Sequence, residues 1–245
     1  MRTLALTFAF FLIAVFSAHA GSVRVAVAAN FRMAMLEIAE KFEAEQGHVV
    51  TLSTGSSGQL FAQISNGAPY DVFLSADQER PEKLVEAGLA LPDSRFTYAA
   101  GRLYLLLPKA GRNLTEDPEL SDVQRLAIAN PRTAPYGAAA MQAMSKLTFP
   151  SGDPQIAEAQ SVAGVNAAVA AGAVDAGFAA YSTVSGIPDA DRSGWLVPAD
   201  YHAPILQDAV LLNRAADNDA AIALLDWLRS DRAKEILLSY GYDVP

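Results

Sequence analysis

The sequence predicts an α/β protein made of two similar lobes, and three observations carry that prediction. Short apolar runs rich in valine and alanine alternate with segments of helical spacing, the pattern of parallel βαβ units. A strand, polar loop and helix start at 23–31 (VRVAVAANF) is echoed at 126–137 (LAIANPRTAPYG). No Gly/Ser-rich or Pro-rich stretch separates the halves, which favours a hinge built from strands over a flexible tether.

Residues 23–28 (VRVAVA) read as a strand. Asn30 follows and can cap a helix. Met35, Leu36, Ile38, Ala39 and Phe42 then recur at helical spacing over 31–45, and Gly47 stands where a C′ glycine would. Residues 48–53 form a second strand, which runs into Thr54-Gly55-Ser56-Ser57-Gly58 before Leu60, Phe61 and Ile64 resume the helical period. A third strand spans 71–75 and a helix 80–87, stopped by Gly88. Residues 102–108 (RLYLLLP) open a new section; strands are predicted at 126–129, 176–181, 195–198 and 209–212, and helices at 138–147, 165–171, 216–230 and 232–240.

Residues 1–20 read as a secretory signal peptide. One arginine precedes a 13-residue apolar run, and Ala18-His19-Ala20 supplies small residues at the cleavage positions. A run that short falls below the ~20 residues needed to span a bilayer. Cleavage after Ala20 removes one of 18 basic side chains and none of the 27 acidic ones, so the net charge moves from −9 to −10. With no cysteine there is no lipid attachment through that residue, and a bacterial periplasm is the expected compartment.

Composition excludes several chemistries. A chain with 51% hydrophobic and 18% charged residues is globular rather than disordered. Its acidity argues against binding nucleic acid. Zero cysteines and three histidines remove disulfides, iron–sulfur clusters and most zinc sites. Nucleotide-binding glycine motifs and H-E-x-x-H are absent. Gly55-Ser56-Ser57-Gly58 resembles a nucleophile elbow only loosely, so a secreted serine hydrolase pairing Ser57 with His48 or His202 is the rival from another class. Asp71 and Asp77 read either as acid/base or calcium ligands, or as capping and loop residues.

Four helix starts remain, near Asn30, Ser57, Tyr136-Gly137 and Val162-Ala163-Gly164. Each presents unpaired N–H groups and the positive end of a helix dipole. If two lobes face each other, all four can converge on one anion, which would let an acidic protein hold an anion without Lys or Arg. The bland reading is that Asn30 and Ser57 are plain N-caps.

Specific stretches sharpen this. The runs AVAANF (26–31), STGSSGQLFAQISNGAPYDVFLSADQERPEKL (53–84), ANPRTAPYG (129–137), SVAGVNAAVAAGAVDAGFAAYS (161–182) and the terminal YGYDVP resemble the periplasmic molybdate-binding proteins of ABC transporters, over essentially the whole mature chain. The resemblance implies a type II periplasmic-binding-protein fold, with mixed sheets, helices on both faces and a ligand cleft between lobes. These would comprise 21–99 with 200–245, and 100–199. It implies a monomer that is not an enzyme. It would need no cofactor or directly bound metal cation, would hold molybdate or tungstate as the oxyanion and would deliver it to a membrane permease. Sulfate or thiosulfate is the alternative ligand.

Carried over residue by residue, the resemblance implies contacts from Ala29 through its backbone, Asn30 through its side-chain amide and Ser57 through both O–H and N–H. Tyr136 and Val162 would contribute backbone N–H groups. It further implies the Tyr181 hydroxyl, which contacts the oxyanion in some relatives.

Overall fold

A computed structural model of the chain describes residues 20–108, 113–114, 120–188 and 193–245. The predicted signal peptide, apart from Ala20, lies outside the described residues.

The first sheet is built from β1 (Ser22–Ala28), β2 (Val49–Gly55), β3 (Val72–Leu74), β4 (Phe96–Gly101) and the late strand β11 (Ile205–Leu211). Its order is β2-β1-β3-β11-β4. The first three strands run parallel, with Val25 opposite Leu52 and Val72, while β11 pairs antiparallel with β3 and β4. Helices α1 (Arg32–Gln46), α2 (Ser57–Ser65) and α3 (Glu79–Glu86) connect its strands. After β11, α6 (Asp219–Leu228) and α7 (Asp231–Ser239) close the chain.

Apart from the exposed Arg24 near its start, the run VRVAVA is buried, and from Val25 to Ala28 it is buried on both faces, as a covered parallel strand is. Val23, Val25 and Val27 pack with Phe31, Ile38 and Phe42 of the α1 side and with Leu224 and Trp227 of α6. Ala26 points the other way, into Leu60, Ile64, Phe73 and Leu84 under α2 and α3. Each such fully buried aliphatic side chain contributes roughly 1.5–3 kcal/mol. Helix α1 ends where the sequence predicts, at Gly47, whose φ of 71° is the left-handed conformation of a C′ glycine.

The second sheet contains β5 (Leu103–Leu106), β6 (Asn113–Leu114), β7 (Arg125–Ala129), β8 (Gln155–Ala159), β9 (Ala176–Ala180) and β10 (Gly194–Leu196) in the order β6-β10-β5-β9-β7-β8. Strand β7 is parallel to both β8 and β9. Strand β5 is antiparallel to β9 and β10. Helix α4 (Pro135–Met144) follows β7 and α5 (Val162–Ala170) follows β8. The fold is therefore two α/β lobes with mixed sheets. The chain passes from the first sheet to the second between Gly101 and Leu103, with Arg102 alone between the strands, and returns between β10 and β11.

Three sequence expectations need amendment. Strands β4, β6 and β8 are not among those predicted, and β5 falls in the run 102–108 to which the sequence assigns no element. Strand β11 begins at Ile205 rather than 209, and both α4 and α5 start three residues earlier than their apolar spacing suggests. Helix α4 opens with Pro135 at its first position, where a proline loses no intrahelical bond.

Candidate functional site

Every strand that leads into one of the four predicted helix starts does so from its carboxyl end. Strand β1 leads directly into the 3-10 turn Ala29–Phe31, β2 into α2, β7 into α4 and β8 into α5. The four starts meet. One small pocket is lined by Ala28–Asn30 and Ser56-Ser57 from the first sheet's side and by Ala134–Tyr136 and Ser161-Val162 from the second's, with Ala76 closing it. It is a tight cavity of about 10 Å³. This is where ligands sit in open α/β sheets. The first-turn N–H groups of Ser57, Tyr136 and Val162 have no intrahelical acceptor by position, so they are available to a ligand.

The N-cap of α2 is Ser56, not Ser57. Its hydroxyl accepts from Gln59 N–H at 3.3 Å, and Gln59 Oε1 accepts from Ser56 N–H at 3.1 Å, a reciprocal capping box. Ser57 is thereby released from the capping role. Its Oγ accepts the Ala76 N–H at 2.8 Å, which fixes the oxygen and leaves the hydroxyl proton to donate elsewhere.

Asn30 makes no side-chain cap either. Its Nδ2 donates to Gln207 Oε1 at 2.8 Å and to Tyr242 OH at 3.0 Å. Both amide hydrogens are thus engaged inside the protein. In this structure the amide that the resemblance assigns to the ligand is engaged inside the protein, and the donor left to Asn30 is its backbone N–H. Ala29, Asn30, Ser57, Tyr136 and Val162 all line the one pocket, whereas Tyr181 does not. Tyr181 opens the turn after β9, with its ring centroid 5.7 Å from that of Tyr104 and its N–H on the Arg102 carbonyl at 2.9 Å.

No charged side chain lines the pocket. Behind it lies a layer of buried phenols. Burial pushes the Tyr98, Tyr136 and Tyr242 hydroxyls well above the ordinary tyrosine range, so they stay neutral. Asp71 and Asp77 belong to the loop framework. Asp71 accepts the Arg24 N–H at 2.8 Å and pairs with Arg214, and Asp77 accepts the Ser75 hydroxyl at 2.8 Å and pairs with Arg80. No group of three or more His, Asp or Glu poised to hold a metal occurs among the described residues. Neither histidine of the hydrolase reading reaches Ser57. His48 precedes β2, at the opposite end of that strand, and accepts the Gly21 N–H at 3.0 Å, while His202 lies outside the pocket.

Contacts cross the cleft on several sides of the pocket. The Gly58 N–H donates to Thr133 O at 2.8 Å, Arg80 Nη2 to Arg132 O at 3.0 Å and Ser182 Oγ to Asn30 O at 3.0 Å. The Gly58 contact needs a glycine, because a Cβ there would lie 2.8 Å from Thr133 Cα.

Comparison with known proteins agrees with this architecture. The chain is 45% identical to the molybdate-binding protein ModA of Rhodobacter capsulatus over 227 residues, 92% of this chain and 89% of that one. It is 44% identical to ModA of Azotobacter vinelandii over 92% of this chain and 91% of the relative. The solved structure of the periplasmic molybdate-binding protein of Azotobacter vinelandii superimposes with a TM-score of 0.84 at 39% identity, covering 91% of this chain and 99% of that one. Residues 23–243 match the bacterial extracellular solute-binding proteins, and the chain belongs to that family.

Proposed function

We propose that this protein captures molybdate, and tungstate with it, in the periplasm and delivers it to the permease of an ABC transporter. The observation that carries the reading is the convergence of four helix starts, two from each sheet, on a pocket without a charged side chain. Such a pocket suits a fully deprotonated oxyanion. Neutral N–H and O–H donors aimed inward stabilise the negative charge without the desolvation of a buried cation. The relatives named as molybdate-binding proteins support the choice of anion.

In this reading the ligand is held by backbone N–H groups of Ala29, Asn30, Ser57, Tyr136 and Val162 and by the Ser57 hydroxyl. Tyr181, outside the pocket lining, is not in the set. The lobes, 21–99 with 200–245 and 100–199, close by a hinge rotation around the anion. The permease recognises the closed form, and no covalent step occurs. The mature protein begins at Gly21 after signal cleavage and acts as a monomer.

Titration calorimetry of the purified mature chain with molybdate, tungstate, sulfate and phosphate tests the proposal. Tight binding of the first two and weak or absent binding of the others is expected. Preferential binding of sulfate would overturn the choice of ligand.

A further inference from the structure

Behind the pocket, one side chain touches the supports of both sheets' contributions without lining the pocket itself. Gln207 of β11 is fully buried. Its Oε1 accepts Asn30 Nδ2–H at 2.8 Å and lies 3.1 Å from the Tyr98 hydroxyl, which also faces Ser75 O at 3.0 Å. Its Nε2 donates to the Tyr136 hydroxyl at 3.3 Å. Asn30 belongs to the turn after β1 and Tyr136 to the first turn of α4, so the primary amide of Gln207 joins a helix start of the first sheet to one of the second. Ser75 precedes Ala76, whose N–H fixes Ser57 Oγ at 2.8 Å. Two of the four site segments are therefore tied directly to this one amide, and the Ser57 segment stands beside it through Tyr98 and the Ser75-Ala76 backbone.

Two features outside the hydrogen bonds point the same way. The β11–β4 pairing shifts register between Gln207 and Asp208, an irregularity of the kind that re-aims a strand side chain beside a site. Both residues are buried, as the internal strand β11 is from Gln207 to Leu211, with Asp208 facing Thr97 and Gln78 and Gln207 facing the pocket floor. The second feature is Gly101 at the end of β4. A Cβ there would lie 2.0 Å from the Tyr136 hydroxyl oxygen and 2.7 Å from Gln207 Nε2. The strand thus leaves a seat for a hydroxyl that arrives from the other sheet.

Resting on the oxyanion reading above, we infer that Gln207 is a positioning residue for ligand capture: it sets the backbone N–H of Asn30 against that of Tyr136 by holding the Asn30 amide and the Tyr136 hydroxyl at one point. The hydroxyl of Tyr136 is then a sensor of lobe closure, since it meets Gln207 only when the sheets are brought together. Ligand and network each favour the same closed arrangement, and loss of either weakens the other.

The test is molybdate calorimetry together with ligand-free thermal melting on the wild type, Tyr136→Phe, Gln207→Met and the double variant. Tyr136→Phe removes one hydroxyl and no donor that lines the pocket. It should weaken molybdate binding about three- to tenfold. Gln207→Met should weaken it at least as much, and the double variant should bind no more weakly than Gln207→Met alone, because both changes break one network. Gly101→Ala presses on the network from a residue that contributes no side chain to it. It should lower affinity in the wild-type background and do so less in the Tyr136→Phe background, where the obstructed hydroxyl is gone. Should Gln207→Met not fold, the Tyr136→Phe and Gly101→Ala pair decides alone. Folded variants that melt lower yet bind molybdate as the wild type does would reduce Gln207 to a structural residue and overturn the inference. Losses that simply add would overturn it as well. A wild type that binds no molybdate would overturn the functional reading and this inference with it, whereas unaffected variants beside a wild type that binds overturn this one only.

Discussion

The Gly58 N–H donates to the carbonyl of Thr133 at 2.8 Å, and a Cβ on Gly58 would lie 2.8 Å from Thr133 Cα and 2.9 Å from its oxygen. A backbone-to-backbone contact of this kind between the loops of two sheets exists only while they are together. Gly58 also sits in the first turn of α2, where alanine favours the helix by up to about 1 kcal/mol. Gly58→Ala should therefore melt no lower than wild type without ligand while losing affinity for molybdate. Overpacking of about 1–3 kcal/mol corresponds to roughly five- to 150-fold in Kd. Calorimetry beside a melting curve reads both, and an unchanged Kd would show that the cleft closes without this contact.

Ser56 and Ser57 are adjacent and should behave differently. Ser56→Ala removes the cap of α2 and should cost about 1 kcal/mol of stability. Ser57→Ala removes the hydroxyl that the proposed function gives to the ligand and should weaken molybdate binding by about 1.5–3 kcal/mol, roughly 10- to 150-fold in Kd. If Ser57→Ala binds as tightly as wild type, the hydroxyl is only a prop for the Ala76 N–H.

Val162 occupies the first helical position of α5, after an extended Ser161 with φ −155° and ψ 172°. That geometry tolerates proline, both at the position and before it. Val162→Pro should fold, delete one N–H and lose about 1.5–3 kcal/mol of binding. Val162→Ala keeps the N–H and should bind nearly as wild type. Equal affinities in the two variants, with folding checked by circular dichroism, would remove α5 from the ligand set.

The site should also discriminate by protonation. Phosphate near neutral pH carries a P–OH, and a pocket made of donors offers that proton no acceptor, at a cost of about 1–3 kcal/mol. Molybdate should raise the melting temperature where phosphate does not. The three phenols behind the pocket have pKa values raised by burial, so the protonated, donating form persists to higher pH than in an ordinary tyrosine. Molybdate affinity should then stay level from about pH 6 to 9. A fall across that range would mean that a group in or beside the pocket titrates.

Much of the frame was legible because burial leaves a pattern. Val23, Val25 and Val27 pack on one face and Ala26 on the other, so the first strand shows as an apolar run interrupted only by the exposed Arg24. Strand β8 (QIAEA) sits at a sheet edge with most of its side chains at least partly exposed, and its apolar content is too low to stand out. The helix starts were legible for a second reason: small and polar residues before a helical period mark where N–H groups go unpaired. Which way Asn30 faces was not legible, since an amide serves a ligand or a neighbour equally well and Gln207 stands 177 positions away. Gln207 left no local signal. A lone glutamine in a strand has no period, and its partners were assembled by a register shift that no short window displays.

Arg102 is the one residue between β4 and β5, and it is held firmly. Its Nε donates to Asp243 Oδ2 at 2.9 Å, and its carbonyl accepts the Tyr181 N–H at 2.9 Å. Gly101, which seats the Tyr136 hydroxyl, is its immediate neighbour. This crossing between the sheets and the floor of the pocket therefore lie only a few covalent bonds apart, whereas Gly58 and Thr133 meet on loops of opposite sheets. If the lobes turn about this crossing, as proposed above, a displacement of a few tenths of an ångström beside Arg102 is magnified along the arms, so a methyl intruding at Gly101 reaches the cleft as surely as one set at Gly58 on its rim.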